Sequence, residues 1–232
     1  MRRAITLANN EIFTLAQENE EWRGMACVLT LAVVQEDAVT VGHVGDSRLY
    51  LIWNGTVRKL TSDHAPVGER EDLGELTEAE AMVHPRRHEV FRDVGSRVRD
   101  LDEPDFVELK SFPFHPAAAM LLCSDGLSDS LTSAEINEVV EQYDGDPGVI
   151  SQALVNAANE AGGRDNISVV FIAGPEFLGV HSPAMAEARA RHAVTRMRVE
   201  SRWSAWAGRL GWFAAGVAVG MILRSILAAL NY

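Results

Sequence analysis

Ala119-Met120-Leu121-Leu122-Cys123-Ser124-Asp125-Gly126-Leu127-Ser128-Asp129 is the stretch on which the fold turns. Its first five residues have the length and composition of a buried strand, and Ser124-Asp125-Gly126 then breaks the run with turn chemistry. Asp125 and Asp129 are four apart, so one helical turn after the strand puts both carboxylates on one face. Gly45-Asp46-Ser47-Arg48 and Gly162-Gly163-Arg164-Asp165-Asn166 repeat the arrangement of a carboxylate beside a strand end. Carboxylates gathered in this way supply the oxygen ligands that a hard cation such as Mg²⁺ or Mn²⁺ takes. Taken singly, each is also an ordinary turn or helix cap.

Working outward, residues 27–34 form a continuous apolar run, and 38–44 and 49–53 are short and rich in β-formers. Asn54-Gly55 separates 49–53 from 56–60 as a hairpin turn does, since both residues tolerate positive φ. Residues 119–123 and 167–172 complete about six strands, with 106–109 a weaker candidate. Ile5, Ala8, Ile12, Leu15 and Ala16 share one helical face near the start. Thr77-Glu78-Ala79-Glu80 and Thr132-Ser133-Ala134-Glu135 fit the capping box. Asp146-Pro147 opens a helix carrying Ile150, Leu154 and Ala157, which Gly162 ends. Strands joined by hairpins, with helices inserted later, predict an α+β sandwich of largely antiparallel sheets.

With 232 residues and 47% hydrophobic content, the chain has material for one sizeable domain and an appendage. Residues 1–176 carry 14 basic and 31 acidic side chains, whereas residues 177–232 carry 7 and 2. So acidic a body excludes a nucleic-acid footprint, which calls for a basic patch. Cys27 and Cys123 lie in apolar runs and are expected as buried free thiols; two isolated cysteines make neither a zinc knuckle nor a disulfide scaffold. Met1-Arg2-Arg3 leads into no secretory signal, which places the body in the cytoplasm. Residues 210–223 carry no charge, and beyond Arg224 the apolar run continues to Leu230. Trp203, Trp206 and Trp212 suit a membrane-interface belt. The expected organisation is a domain over 1–176, a basic juxtamembrane segment over 177–209 and a single transmembrane helix over 210–230. That helix would contact membrane lipid and hold the domain at the cytoplasmic face of the cell membrane. A buried amphipathic helix is the alternative.

In order, the chain reads Gly42-His43-Val44-Gly45-Asp46-Ser47-Arg48, Leu60-Thr61-Ser62-Asp63-His64, His84-Pro85-Arg86-Arg87, the Ser124-Asp125-Gly126 cluster, and Gly162-Gly163-Arg164-Asp165-Asn166. This series resembles the metal-dependent protein phosphatases of the PPM, or type 2C, family over about residues 4–173. The resemblance implies a four-layer α-β-β-α sandwich with a binuclear Mn²⁺ or Mg²⁺ centre at one end of the sheets. It further implies hydrolysis of phosphoserine and phosphothreonine in kinase-phosphorylated proteins by a metal-activated water, with no phosphoenzyme. Carried over by motif, Asp125 and Asp165 would ligate the binuclear pair, and Asp46 and Asp129 would hold a third, weaker ion. Asn166 would buttress the turn that aims Asp165, and Gly126 would let the ligands converge. His43, His64 and His84 fall in motifs that the family uses mainly for packing and hydrogen bonding, and His88 stands where it often has Asn. Arg87 and Arg92 are expected as partners of carboxylates.

The chain departs from the pattern at its start. The family's domain begins earlier, with strands that carry a phosphate-contacting Arg and an Asp-Gly-x-Gly-Gly motif whose Asp bridges both metals. None of these is in the sequence, whose first residues resemble the helix that follows. The sandwich is therefore expected to be N-terminally truncated, either because Met1 is an internal or misassigned start in a longer phosphatase or because the chain is a degenerate family member. Two readings stand: a membrane-anchored phosphatase, or a catalytically silent pseudophosphatase that binds a partner.

Overall fold

The computed structural model describes residues 1–179 of the chain. Helix α1 (Arg2–Glu18) and a 3₁₀ turn (Glu20–Trp22) lead to strands β1 (Leu29–Gln35), β2 (Ala38–Val44), β3 (Arg48–Trp53) and β4 (Thr56–Lys59). Helices α2 (Pro66–Asp72) and α3 (Glu78–Met82) follow, then β5 (Glu108–Pro113) and β6 (Ala119–Cys123). Helices α4 (Asp125–Ser128), α5 (Ser133–Val140) and α6 (Pro147–Glu160) precede β7 (Val169–Ala173). The strands form two sheets, ordered β1-β2-β5 and β4-β3-β6-β7, and every pairing is antiparallel.

Alternation along the strands sorts their side chains into layers. Val39 and Val41 of β2, Leu49 of β3 and Met120 of β6 share one cluster, the seam between the sheets. Tyr50, Ile52, Ala119, Leu121 and Cys123 point the other way, onto Ile136 of α5 and Ile150, Leu154 and Ala158 of α6. Beyond the first sheet, Val44 meets Ile5 of α1 together with Phe106 and Val107. Helix, sheet, sheet, helix is thus the order of packing. β3 and β6 are covered on both faces, which explains why they read as unbroken apolar runs.

The hairpin and capping signals hold. Asn54 and Gly55 have φ of 53° and 72°, and Thr77 and Thr132 each close a capping box. Other expectations need correction. Ala8 is exposed and Asn9 is buried in its stead, donating to the carbonyl of Arg97 and accepting from the amide of Gly95. Cys27 is exposed, because the strand begins only at Leu29 and Cys27 makes an isolated bridge to Val94. The transmembrane helix over 210–230, and the single-pass cell-membrane location built on it, is also corrected. Among the described residues no helix is long and apolar enough to cross a membrane, and 210–230 lie outside them.

Candidate metal centre

Register brings the acidic clusters to one end of the second sheet. Arg48 of β3 pairs with Cys123 of β6, so continuing that antiparallel register sets Asp46 opposite Asp125. Asp125 is the first residue of α4 and Asp129 its C-cap, so the short helix turns both carboxylates the same way. Asp46, Asp125 and Asp129 line one cavity of about 20 Å³, shared with Arg48, Asp63, Glu71 and Arg87. That is room for about one water-sized occupant.

The turn that presents Asp46 is clasped by a histidine. The amide of Gly45 donates to His64 Nδ1 at 3.0 Å, and its carbonyl accepts from the His64 amide at 2.7 Å. Gly45 has φ +112°, and a Cβ there would come within 2.3 Å of Val28. His64 is held neutral, its pKa pushed down to about 3 by burial and then by His43 and Arg92. Burial, and after it the charges of Asp125 and Asp63, push the Asp46 carboxyl up to about 6. Burial and Asp125 raise Asp129 also, with Arg87 and His88 acting against them.

Buried ion pairs frame the cavity. Arg48 donates to Asp63 Oδ2 and Glu71 Oε2, each at 2.6 Å, and to the Tyr50 hydroxyl at 3.3 Å. Lys59 Nζ adds a contact of 2.7 Å to Asp72. Asp63 and His64 stand in the sequence motifs, but nothing local in them points to this network. Their signal is the tight Leu60-Thr61-Ser62-Asp63-His64 block, although Arg48 and Gly45, which they meet, lie 15 and 19 residues away.

Asp165 is placed differently. Cys123 pairs with Val169, which sets Ile167 opposite Asp125 and leaves Asp165 two residues beyond it. Asp165 and Asn166 are exposed, and Asp165 is not among the residues that line the cavity. Its Oδ1 accepts from the Asn166 amide at 2.7 Å. Asn166 braces the site through its backbone: its carbonyl accepts from Ser124 Oγ at 3.0 Å and passes close over Gly126. Arg87 pairs with Asp129 at 3.3 Å, whereas Arg92 Nη1 approaches His64 Nε2 at 2.8 Å. His43, His64 and Glu108 also cluster, but their polar atoms are taken. His43 Nε2 donates to the Ser62 carbonyl, Thr30 Oγ1 lies 2.8 Å from His43 Nδ1, and Glu108 accepts from the Ser62 amide.

Two stacked antiparallel sheets flanked by helices, with carboxylates gathered at one sheet end, define an α+β sandwich with an acidic cavity at the end of its second sheet. A family model described as protein phosphatase 2C matches residues 2–144. The serine/threonine phosphatase stp of Listeria innocua is 33% identical over 177 residues, covering 74% of this chain and 66% of that protein. The crystal structure of the serine/threonine phosphatase Stp1 from Staphylococcus aureus is similar at TM-score 0.66 and 30% identity, over 74% of this chain and 65% of that one. The catalytic domain of the phosphatase PstP, solved with two manganese ions, is similar at TM-score 0.59 and 26% identity, over 70% and 65%. This chain belongs to the protein phosphatase 2C family of serine/threonine phosphatases. It spans 66% of the length of the Listeria relative.

Proposed function

We propose that this chain hydrolyses phosphoserine and phosphothreonine esters in kinase-phosphorylated proteins, at a divalent-cation centre built on Asp46, Asp125 and Asp129. The observation that carries the reading is the convergence of these three carboxylates, by strand register and one helical turn, on a water-sized cavity. The donor set is hard oxygen, and Asp46 is raised first by burial and then by the charges of Asp125 and Asp63, which a bound cation would offset. Both features fit Mn²⁺ or Mg²⁺. The manganese ions of the PstP structure support the same choice. When bound, such an ion polarises phosphoryl oxygens and acidifies a water for in-line attack.

The chain's own residues set the geometry. Asp125 stands at the head of α4, with the Gly126 amide donating to its Oδ1 at 2.9 Å. The His64 clasp aims Asp46, and α4 aims Asp129. Arg48 and Lys59 offset most of the charge on Asp63, Glu71 and Asp72, whereas among the described residues Asp46 and Asp125 have no cationic side chain paired with them in the cavity. Asp46 and Asp129 are proposed to hold the cavity's ion beside Asp125, the third ion of the motif assignment, and Asp165, outside the cavity, is proposed on the strength of its motif as the partner of Asp125 in the binuclear pair. Asn166 and Gly126 brace them.

The test is Mn²⁺-dependent phosphate release from a phosphothreonine peptide. Asp125→Ala is expected to lower it by ~100-fold or more, the scale of losing an electrostatic stabiliser. Activity that survives both Asp125→Ala and Asp165→Ala overturns the assignment. A silent binding module is the second reading, favoured by the exposed position of Asp165. Tight calorimetric binding of two Mn²⁺ ions counts against it.

A further inference from the structure

Two guanidinium groups reach the acidic cavity, and they are held in unlike ways. Arg48 is committed to Asp63, Glu71 and Tyr50. Arg87, on the loop after α3, makes one contact, from Nε to Asp129 Oδ2 at 3.3 Å, and each partner's side chain is 23% exposed. His88 follows it, with Nδ1 3.9 Å from the same oxygen. The other end of α3 is fastened nearby, where Glu78 accepts from the amide of Ser133 at 3.0 Å and from its hydroxyl at 2.5 Å. Two fastenings of this segment therefore land on residues 129–133, while its far end is held on His64, whose carbonyl accepts from the Phe91 amide at 2.9 Å and whose Nε2 lies 2.8 Å from Arg92 Nη1.

We propose that Arg87 is a resident stand-in for the cation: its guanidinium and a divalent ion compete for Asp129, so filling the site releases the 83–92 loop. The proposal rests on reading Asp46, Asp125 and Asp129 as a cation site. Two cations sharing one carboxylate oxygen repel strongly where little water intervenes. The cavity holds about 20 Å³, so little screening water fits between them. Arg87 holds Asp129 by a single Nε contact without the two-point fork, and part-exposed pairs of that kind are weak. A divalent ion can therefore take its place. The Glu78–Ser133 bonds, the Arg86–Glu89 pair at 2.6 Å and the ties of Phe91 and Arg92 to His64 do not involve Asp129. They stay intact, so release is a swing of the loop and not an unfolding of α3.

The test uses the full chain as wild type, Arg87→Ala, Arg87→Lys and Asp125→Ala. Mn²⁺ binding is followed by calorimetry, and hydrogen exchange over residues 83–92 is measured with and without Mn²⁺. Arg87→Ala is expected to bind Mn²⁺ about two- to fivefold more tightly, the range of a part-exposed ion pair, with Arg87→Lys between it and wild type. Exchange over 83–92 should rise with Mn²⁺ in wild type, and be high and indifferent to Mn²⁺ in Arg87→Ala. Tight Mn²⁺ binding unaltered by Arg87→Ala, or loop exchange indifferent to Mn²⁺ in wild type, overturns the stand-in alone. No Mn²⁺ binding by wild type, indistinguishable from Asp125→Ala, overturns the site reading and the stand-in with it.

Discussion

Asp46 lies two residues before β3, and its carboxyl titrates near 6 through burial and then through Asp125 and Asp63. The folded chain therefore holds that proton more tightly than the unfolded chain does. Ionised Asp46 weakens the fold above about pH 6, and the penalty is relieved as pH falls toward the ordinary value of 3.8. Asp46→Asn in EDTA is expected to stabilise the protein by about 1–2 kcal/mol at neutral pH, after discounting for partial exposure. The gain should vanish in urea melts near pH 4; an unchanged midpoint at neutral pH contradicts the account. Gly126 has no such latitude. A Cβ there would come within 2.4 Å of the Asn166 carbonyl, so Gly126→Ala should cost about 1–3 kcal/mol in the same melts and displace the 162–166 loop.

At the scale of elements, α6 is fixed to the second sheet by Leu154, which is fully buried. Leu154→Ala should destabilise by about 2–5 kcal/mol, and Thr132→Ala at the head of α5 by about 1 kcal/mol; denaturant midpoints decide both. Elements with local signals were legible. The Asn54-Gly55 turn, the capping boxes and the apolar run of β6 each carry their cause within a few residues. Elements set by distant partners were not. The expected strand at 106–109 lies at 108–113, because Phe106 and Val107 are drawn into the core with Ile5 of α1 while the ladder follows β2. Helix α2, rich in charge, gave no apolar period, and its Glu71 and Asp72 are held by Arg48 and Lys59 from other elements. The site divided in the same way. Asp125 and Asp129 were readable from their spacing, whereas the exposed place of Asp165 follows from a strand that begins at Val169, with the Ser168 amide given to Ser124 Oγ.

Over the whole molecule, surplus negative charge is the dominant long-range term, since the chain carries a net −12. Raising NaCl from about 20 to about 300 mM should screen that repulsion and raise Tm, whereas a flat or falling Tm would show that pairs such as Arg48–Asp63 outweigh it. The same charge has a second effect through β1. Among the described residues β1 pairs with β2 alone. Its seven residues carry no charge, and Leu31, Val33 and Val34 are each about 40% exposed. Edge strands commonly discourage pairing with charged residues, prolines or bulges; here repulsion between whole molecules does that work. Shelf life should accordingly follow pH more closely than temperature. Near the sequence pI of about 5.0 the repulsion lapses, and stored protein should turn turbid and gain thioflavin-positive β-structure while still well below its melting point.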